Sequence, residues 1–401
     1  MRWVRTHRPG LSRSPVVNVM VVVLVALVVA TVVGLVVLWP EGKLKHSSAL
    51  QNVRSLGGRV TAVERTGCAL GSGTCQAVTV KLTSGPNKGQ RTAFTVTPTP
   101  GLGSLERGER IRVIKNPPPP PGADAGAKVP PYSFTDFDRR LPMLWLGLGF
   151  VVLLLLTGRL HGFRALVGLA ASIVLVLKFV IPSILHGHSA VAVALTGALA
   201  VMLITIPFSY GLGPKAIAAW LGTAASLALA VGLAWGFTDL AHLSGASSEE
   251  AVLLSASSAK LSLQGLLLAG MVIGALGVLI DLTVSQASTV IALRRANPSL
   301  GFTQLFRGAV EVGHDHIAAT VNTLVFAYAG ASLPILLIFS IGGTTLTDAI
   351  NSESVAEEVV AALVGSIGLI ASMPITTALA ALLALRMGDK ALRGAAHAHV
   401  H

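Results

Sequence analysis

The sequence predicts a polytopic α-helical membrane protein of about eight transmembrane helices, with a small exported β-barrel domain of the OB or SH3-like kind between helices 1 and 2. Three observations predict it. Long uncharged apolar runs recur along the chain, basic residues fall in alternate short connections between them, and one stretch near the N-terminus changes to period-two alternation.

Hydrophobic residues fill 52% of 401 positions and charged residues 12%, and the mean hydropathy is +0.72. That balance leaves too little polar surface to solvate a soluble protein of this size, so part of the solvent is a lipid bilayer. The net charge of +12 does not point to nucleic acid, because the Lys and Arg residues sit between apolar runs rather than on one amphipathic face. Anionic lipid headgroups are their natural partners.

A span needs roughly 20 apolar residues to cross ~30 Å of hydrocarbon. The first candidate, 16–39, follows a basic stretch, 1–15, holding Arg2, Arg5, Arg8 and Arg13. It is far longer than the ~7 to 15 residues of a signal-peptide core, which predicts an uncleaved anchor. Further runs lie at 141–157, 162–181, 189–208, 214–237, 264–285, 317–341 and 359–385, so that 141–385 reads as a seven-helix domain. Threading from a cytoplasmic N-terminus puts Arg159, Arg164, Lys215, Arg294, Arg295, Arg307, Arg386, Lys390 and Arg393 inside, whereas the short outside loops hold Lys260 and little else. The positive-inside rule then makes both termini cytoplasmic in a bacterial inner membrane, with residues 40–140 outside. The stretch 247–263 is too polar to span and reads as an outer-surface helix or a re-entrant piece.

Within 40–116, β-branched residues alternate with polar ones at 58–64, 76–83, 92–97 and 109–115, which predicts four or five short strands. Cys68 and Cys75, the two cysteines of the chain, bracket a short loop on the oxidising side of the membrane and are expected to form a disulfide. Residues 117–140 open with a polyproline run and read as a semi-rigid linker, which also offers a proline-binding partner a motif. At the other end, 386–401 is a basic tail closing on His397, His399 and His401, read as cytoplasmic rather than as a metal site.

Ionisable groups inside hydrocarbon cost several kcal/mol and ask for a partner or a purpose. The sixth run puts Asp281, Ser285 and Ser288 on one face, with Gly270, Gly274 and Gly277 read as a smooth packing strip opposite them. The seventh opens with Glu311, His314, Asp315 and His316, and continues with Thr320 and Asn322. Since the two runs are antiparallel neighbours, Asp281 near the inner end of one can meet Asp315 or Asn322 near the inner end of the other. Asp281, Asp315, Glu311, His314 and His316 are therefore the expected proton or cation relay, and Ser285, Gln286, Thr320 and Asn322 its polar contacts. The bland alternative for 311–316 is an interfacial helix start favoured by the helix macrodipole. Lys178 near a span end can snorkel, while Pro207, Pro334 and Pro374 can break or kink spans and the hydroxyls of 372–377 can satisfy freed carbonyls.

The metalloprotease, serine-hydrolase, Walker A and kinase motifs are absent, and the surroundings of Asp281 and Asp315 lack an aspartyl-protease pattern. Neither a cofactor nor a metal site is expected. Three stretches, 274–286 (GALGVLIDLTVSQ), 313–324 (GHDHIAATVNTL) and 328–334 (YAGASLP), resemble the YibE/F family, and the likeness covers most of the chain from about Arg140 onward. It implies a multi-span bacterial membrane protein and no particular biochemical role. The same region, 281–334, is similar to consecutive spans of the proton-driven resistance-nodulation-division superfamily, although seven spans follow the exported domain here rather than five. Together these readings favour an ion-gradient-driven permease or export accessory for a small solute or ion. The rival is a membrane scaffold whose exported domain binds an envelope partner.

Overall fold

Uncharged runs of Val, Leu, Ile and Ala fold as helices because a helix closes its backbone hydrogen bonds within itself, as a hydrocarbon solvent demands. The computed structural model describes residues 15–42, 55–68, 74–97, 104–116, 130–257 and 261–387. The basic residues before 15, the polyproline run, Lys260, Lys390, Arg393 and the terminal histidines lie outside them. The chain divides into two units: Met1–Leu44 with Gly158–His401, and Lys45–Thr157.

The second unit holds strands β1 (Leu56–Gly67), β2 (Thr74–Leu82), β3 (Arg91–Val96), β4 (Arg110–Lys115) and β5 (Tyr132–Phe137). They form one antiparallel sheet in the order β3-β2-β1-β4-β5, curled so that β3 and β5 approach one another. Alternation does what period-two patterning requires: Thr92, Phe94 and Val96 of β3 turn inward while their neighbours face out. Val60, Val78, Val80, Ile111 and Val113 complete the core.

Strand β5 lies past the expected boundary at 116, in the stretch read as linker. It pairs with β4, and its buried Tyr132 hydroxyl accepts a 2.8 Å hydrogen bond from Asn87 Nδ2. Two prolines before it and Asp136 and Asp138 around its end masked the strand pattern. Cys68 and Cys75 are joined, with Cα atoms 5.0 Å apart, and close the β1–β2 connection.

Helix α1 (Pro15–Val37) belongs to the first unit, and α2 (Arg140–Leu175) begins in the second and ends in the first. A π-helical turn, Val176–Val180, follows α2 and carries the exposed Lys178. Then come α3 (Ile181–Leu185), α4 (Ala190–Tyr210), α5 (Pro214–Leu240), α6 (Glu249–Ser257), α7 (Leu263–Ala296), α8 (Phe302–Ile341), α9 (Leu346–Asn351) and α10 (Glu353–Ala384).

Among the described residues seven helices are long and apolar enough to cross a membrane, against about eight expected. The difference lies at Arg140–Leu185, where the expected second and third spans run together over 46 residues. Only Arg159, at φ 45° and ψ −124°, leaves helical geometry within α2. Within 247–263, where a short non-spanning element was expected, the nine-residue helix α6 forms. Pro207, Pro334 and Pro374 do not break their helices, which run on through all three.

The core of the helical unit is α5, α7 and α10 packed on one another, with α4 against α7 and α8 against α10 and α7. Small side chains let these helices come close. At Gly222 of α5 a Cβ would stand 2.0 Å from Thr376 Oγ1 of α10, so only glycine fits there. Helix α1 packs on α4 and α5, and beyond its end Trp39 stacks on Phe179 with ring centroids 5.7 Å apart.

Candidate functional site

Helix α7 runs eleven residues past the expected span end at 285, so Asp281 lies near its middle rather than near its inner end. A helix turns about 100° per residue, which puts Gly270, Gly274, Gly277 and Asp281 on one side, not on opposite sides. That side is exposed along its length. A Cβ at Gly270 or Gly277 would meet nothing within 4 Å, and one at Gly274 would touch only the Tyr328 hydroxyl of α8, at 3.3 Å. The glycine strip is therefore an exposed face, not the closed helix contact expected.

Helix α8 begins at Phe302, where Gln304 Oε1 accepts from the Gly301 N–H. Glu311 to His316 consequently sit well inside a 40-residue helix, which removes the reading of that patch as a helix start. His316 faces α7: its Nε2 lies 3.5 Å from Asp281 Oδ2, with side chains 37% and 66% exposed. The contact is an ion-pair distance without hydrogen-bond geometry, and His316 Nε2 has no other partner. Thr320, one turn on, donates to the His316 carbonyl at 2.8 Å.

The expected meeting of Asp281 with Asp315 is thus replaced by one with His316. Glu311, His314, Asp315 and Asn322 are exposed on α8 and make no side-chain hydrogen bond or ion pair among the described residues. Ser285 is half-buried without a side-chain hydrogen bond.

The other side of α7 carries a second polar group of residues, all buried. Thr223 of α5 and Thr283 of α7 share a 2.7 Å hydrogen bond. The Thr377 hydroxyl of α10 donates to Gln286 Oε1 at 3.1 Å. Gln286 Nε2 lies where a Cβ on Gly313 of α8 would stand 2.2 Å away, so a glycine is needed to admit the amide. Ser226 and Thr376 are fully buried, and their hydroxyls have no hydrogen-bond partner among the described residues. Of these residues the sequence singled out Gln286 and the hydroxyls of 372–377. Thr223, Ser226 and Thr283 were hidden because isolated hydroxyls in apolar helices are common; the three-residue spacing of Thr223 and Ser226 was the available signal.

Chemically the site is two-sided. A carboxylate and an imidazole meet on the exposed side of α7 at mid-helix, and a sheath of neutral hydroxyls and one amide closes the helix contacts behind them. Among the described residues no three His, Cys, Asp or Glu side chains come together as metal ligands. The family model for YibE/F-like protein matches residues 146–386, a range that includes the whole of α3 to α10. No curated protein and no solved structure matches the chain.

Proposed function

The chain belongs to the YibE/F-like protein family, and from that premise we propose that it is an ion-gradient-driven permease or export accessory of a bacterial cytoplasmic membrane, in which Asp281 and His316 exchange a proton. One observation carries the reading: near the middle of an apolar helix, a carboxylate lies 3.5 Å from the imidazole of the next helix, on the exposed side of α7. Ionisable groups inside hydrocarbon are costly unless they are partnered or line a pathway, and a carboxylate beside an imidazole can pass a proton.

The family's match to the helical region supports the multi-pass part of this reading, not any particular transport activity. In the same reading the break at Arg159 divides Arg140–Leu185 into two spans, since 46 residues of helix extend ~69 Å against ~30 Å of hydrocarbon. The basic residues Lys215, Arg294, Arg295 and Arg307 stand at the start of α5, the end of α7 and the start of α8, which supports cytoplasmic termini. The curled five-stranded sheet supports an exported barrel of the OB or SH3-like kind.

Proton flux into proteoliposomes holding the full chain tests the relay. Asp281→Asn and His316→Gln are expected to abolish flux while the protein still folds, and Asp315→Asn to keep most of it. Wild-type flux in Asp281→Asn would sink the relay. A second reading, a scaffold whose sheet binds an envelope partner, draws on the sheet unit having a core of its own. It predicts instead that loss of residues 58–115 abolishes partner capture and that the Asp281 and His316 variants change nothing.

A further inference from the structure

At the end of the helical unit where α1 stops, a cavity of about 380 Å³ opens between the α5–α6 connection, the first turns of α7 and α10, and the last turns of α8. Pockets of this order hold small organic molecules. Its polar wall is Ser247, Ser332, Ser354, Glu357 and Glu358. Its apolar wall includes Leu266, Leu267 and Ile335.

The rim is built, not loose. Glu353, outside the lining, accepts hydrogen bonds from the Ser244 hydroxyl at 2.7 Å and the Gly245 N–H at 3.1 Å. Gly245 stands at φ +76°, where a Cβ would lie 2.5 Å from the Leu263 carbonyl oxygen, so the clamp depends on glycine. Glu357 Oε2 accepts the Ser247 hydroxyl at 2.6 Å.

Two polar side chains of the wall, Ser332 and Glu358, have no hydrogen bond among the described residues. The Ser332 side chain is 7% exposed. Glu358 makes no ion pair among those residues either. Buried oxygens of this kind are costly until a donor reaches them, and for carboxylates the matching donor is a cation.

We propose that this cavity binds an amphiphilic organic ammonium ion. Its head group donates to the two carboxylate oxygens of Glu358 and to the Ser332 hydroxyl, and its alkyl part lies on Leu266, Leu267 and Ile335. An ammonium head has three donors and no acceptor, which suits three acceptor oxygens. The aliphatic half of the wall, and the lack of a third acidic or imidazole ligand close enough to share a metal ion among the described residues, favour it over a chelated divalent cation. Binding here does not depend on transport.

The full chain in lipid nanodiscs, titrated calorimetrically with hexylammonium chloride at neutral pH, tests the site, with hexanol and magnesium chloride as comparison titrants. Saturable hexylammonium binding is expected, weakened on the order of tenfold or more by Glu358→Gln, the loss of one charge-assisted contact. Glu358 has no hydrogen bond to lose, so this variant keeps its fold, as circular dichroism will verify. Ser332→Ala is expected to weaken binding less. No saturable binding to the wild-type chain, equal binding in Glu358→Gln, hexanol binding as well as hexylammonium, or magnesium binding in its place would each overturn the assignment.

Discussion

The two sides of α7 follow opposite rules. Toward α5 and α10 it presents Thr283 and Gln286, neutral polar groups, fully buried and hydrogen-bonded across the helix contacts. On its exposed side it presents glycines and a carboxylate that lies close to an imidazole on α8. Where the helices close on one another the chain uses hydroxyls, whose burial is tolerable once bonded. Ionisable groups are kept for the side that stays open. One helix thus separates the bonding that holds the fold from the groups that can change charge.

Substitutions on the closed side should cost stability, and those on the open side should cost activity. The largest effect is expected at Gly222→Val, where the new side chain would overlap Thr376; overpacking of this kind costs about 3 kcal/mol. Reversible unfolding in detergent measures it, and an unchanged midpoint would mean that α5 and α10 do not approach so closely. Gln286→Leu comes next, at about 2 kcal/mol, because Thr377 loses its buried acceptor. Thr283→Val removes one hydroxyl of a pair and should cost about 1 kcal/mol in the same assay. Smallest is Asp281→Asn, expected to move stability by less than about 0.5 kcal/mol, since its side chain is 66% exposed. If Asp281→Asn unfolds the protein while Thr283→Val leaves it intact, the division between the two sides is broken.

Much of this was legible in the residues. Apolar runs gave the helices and alternation gave four strands, since both follow from local periodicity. Strand β5 was not legible, because its pairing with β4 is long-range and its own six residues are flanked by prolines and aspartates. Reading α2 as two spans rested on the charges around Arg159, yet the backbone leaves helical geometry at that one residue alone. At the site, the motifs named His316 among five relay candidates but paired Asp281 with Asp315 or Asn322, whereas the close contact is with His316. Residues 315 and 316 differ by about 100° around α8, and only the packing of α8 on α10 decides which of them turns toward α7. The glycines of α7 were misassigned to the far side for a similar reason: their purpose was inferred from residue type before their angle was compared with that of Asp281.

The Thr223–Thr283 contact joins two hydroxyls, either of which can be the donor, and Thr283 can also donate to the Leu279 carbonyl 2.8 Å away. Reversing the sense of that hydrogen bond needs only two O–H rotations and no movement of a heavy atom. The seam between α5 and α7 is therefore polarisable: its hydroxyl dipoles can reorient in a changing local field while the helices keep their places.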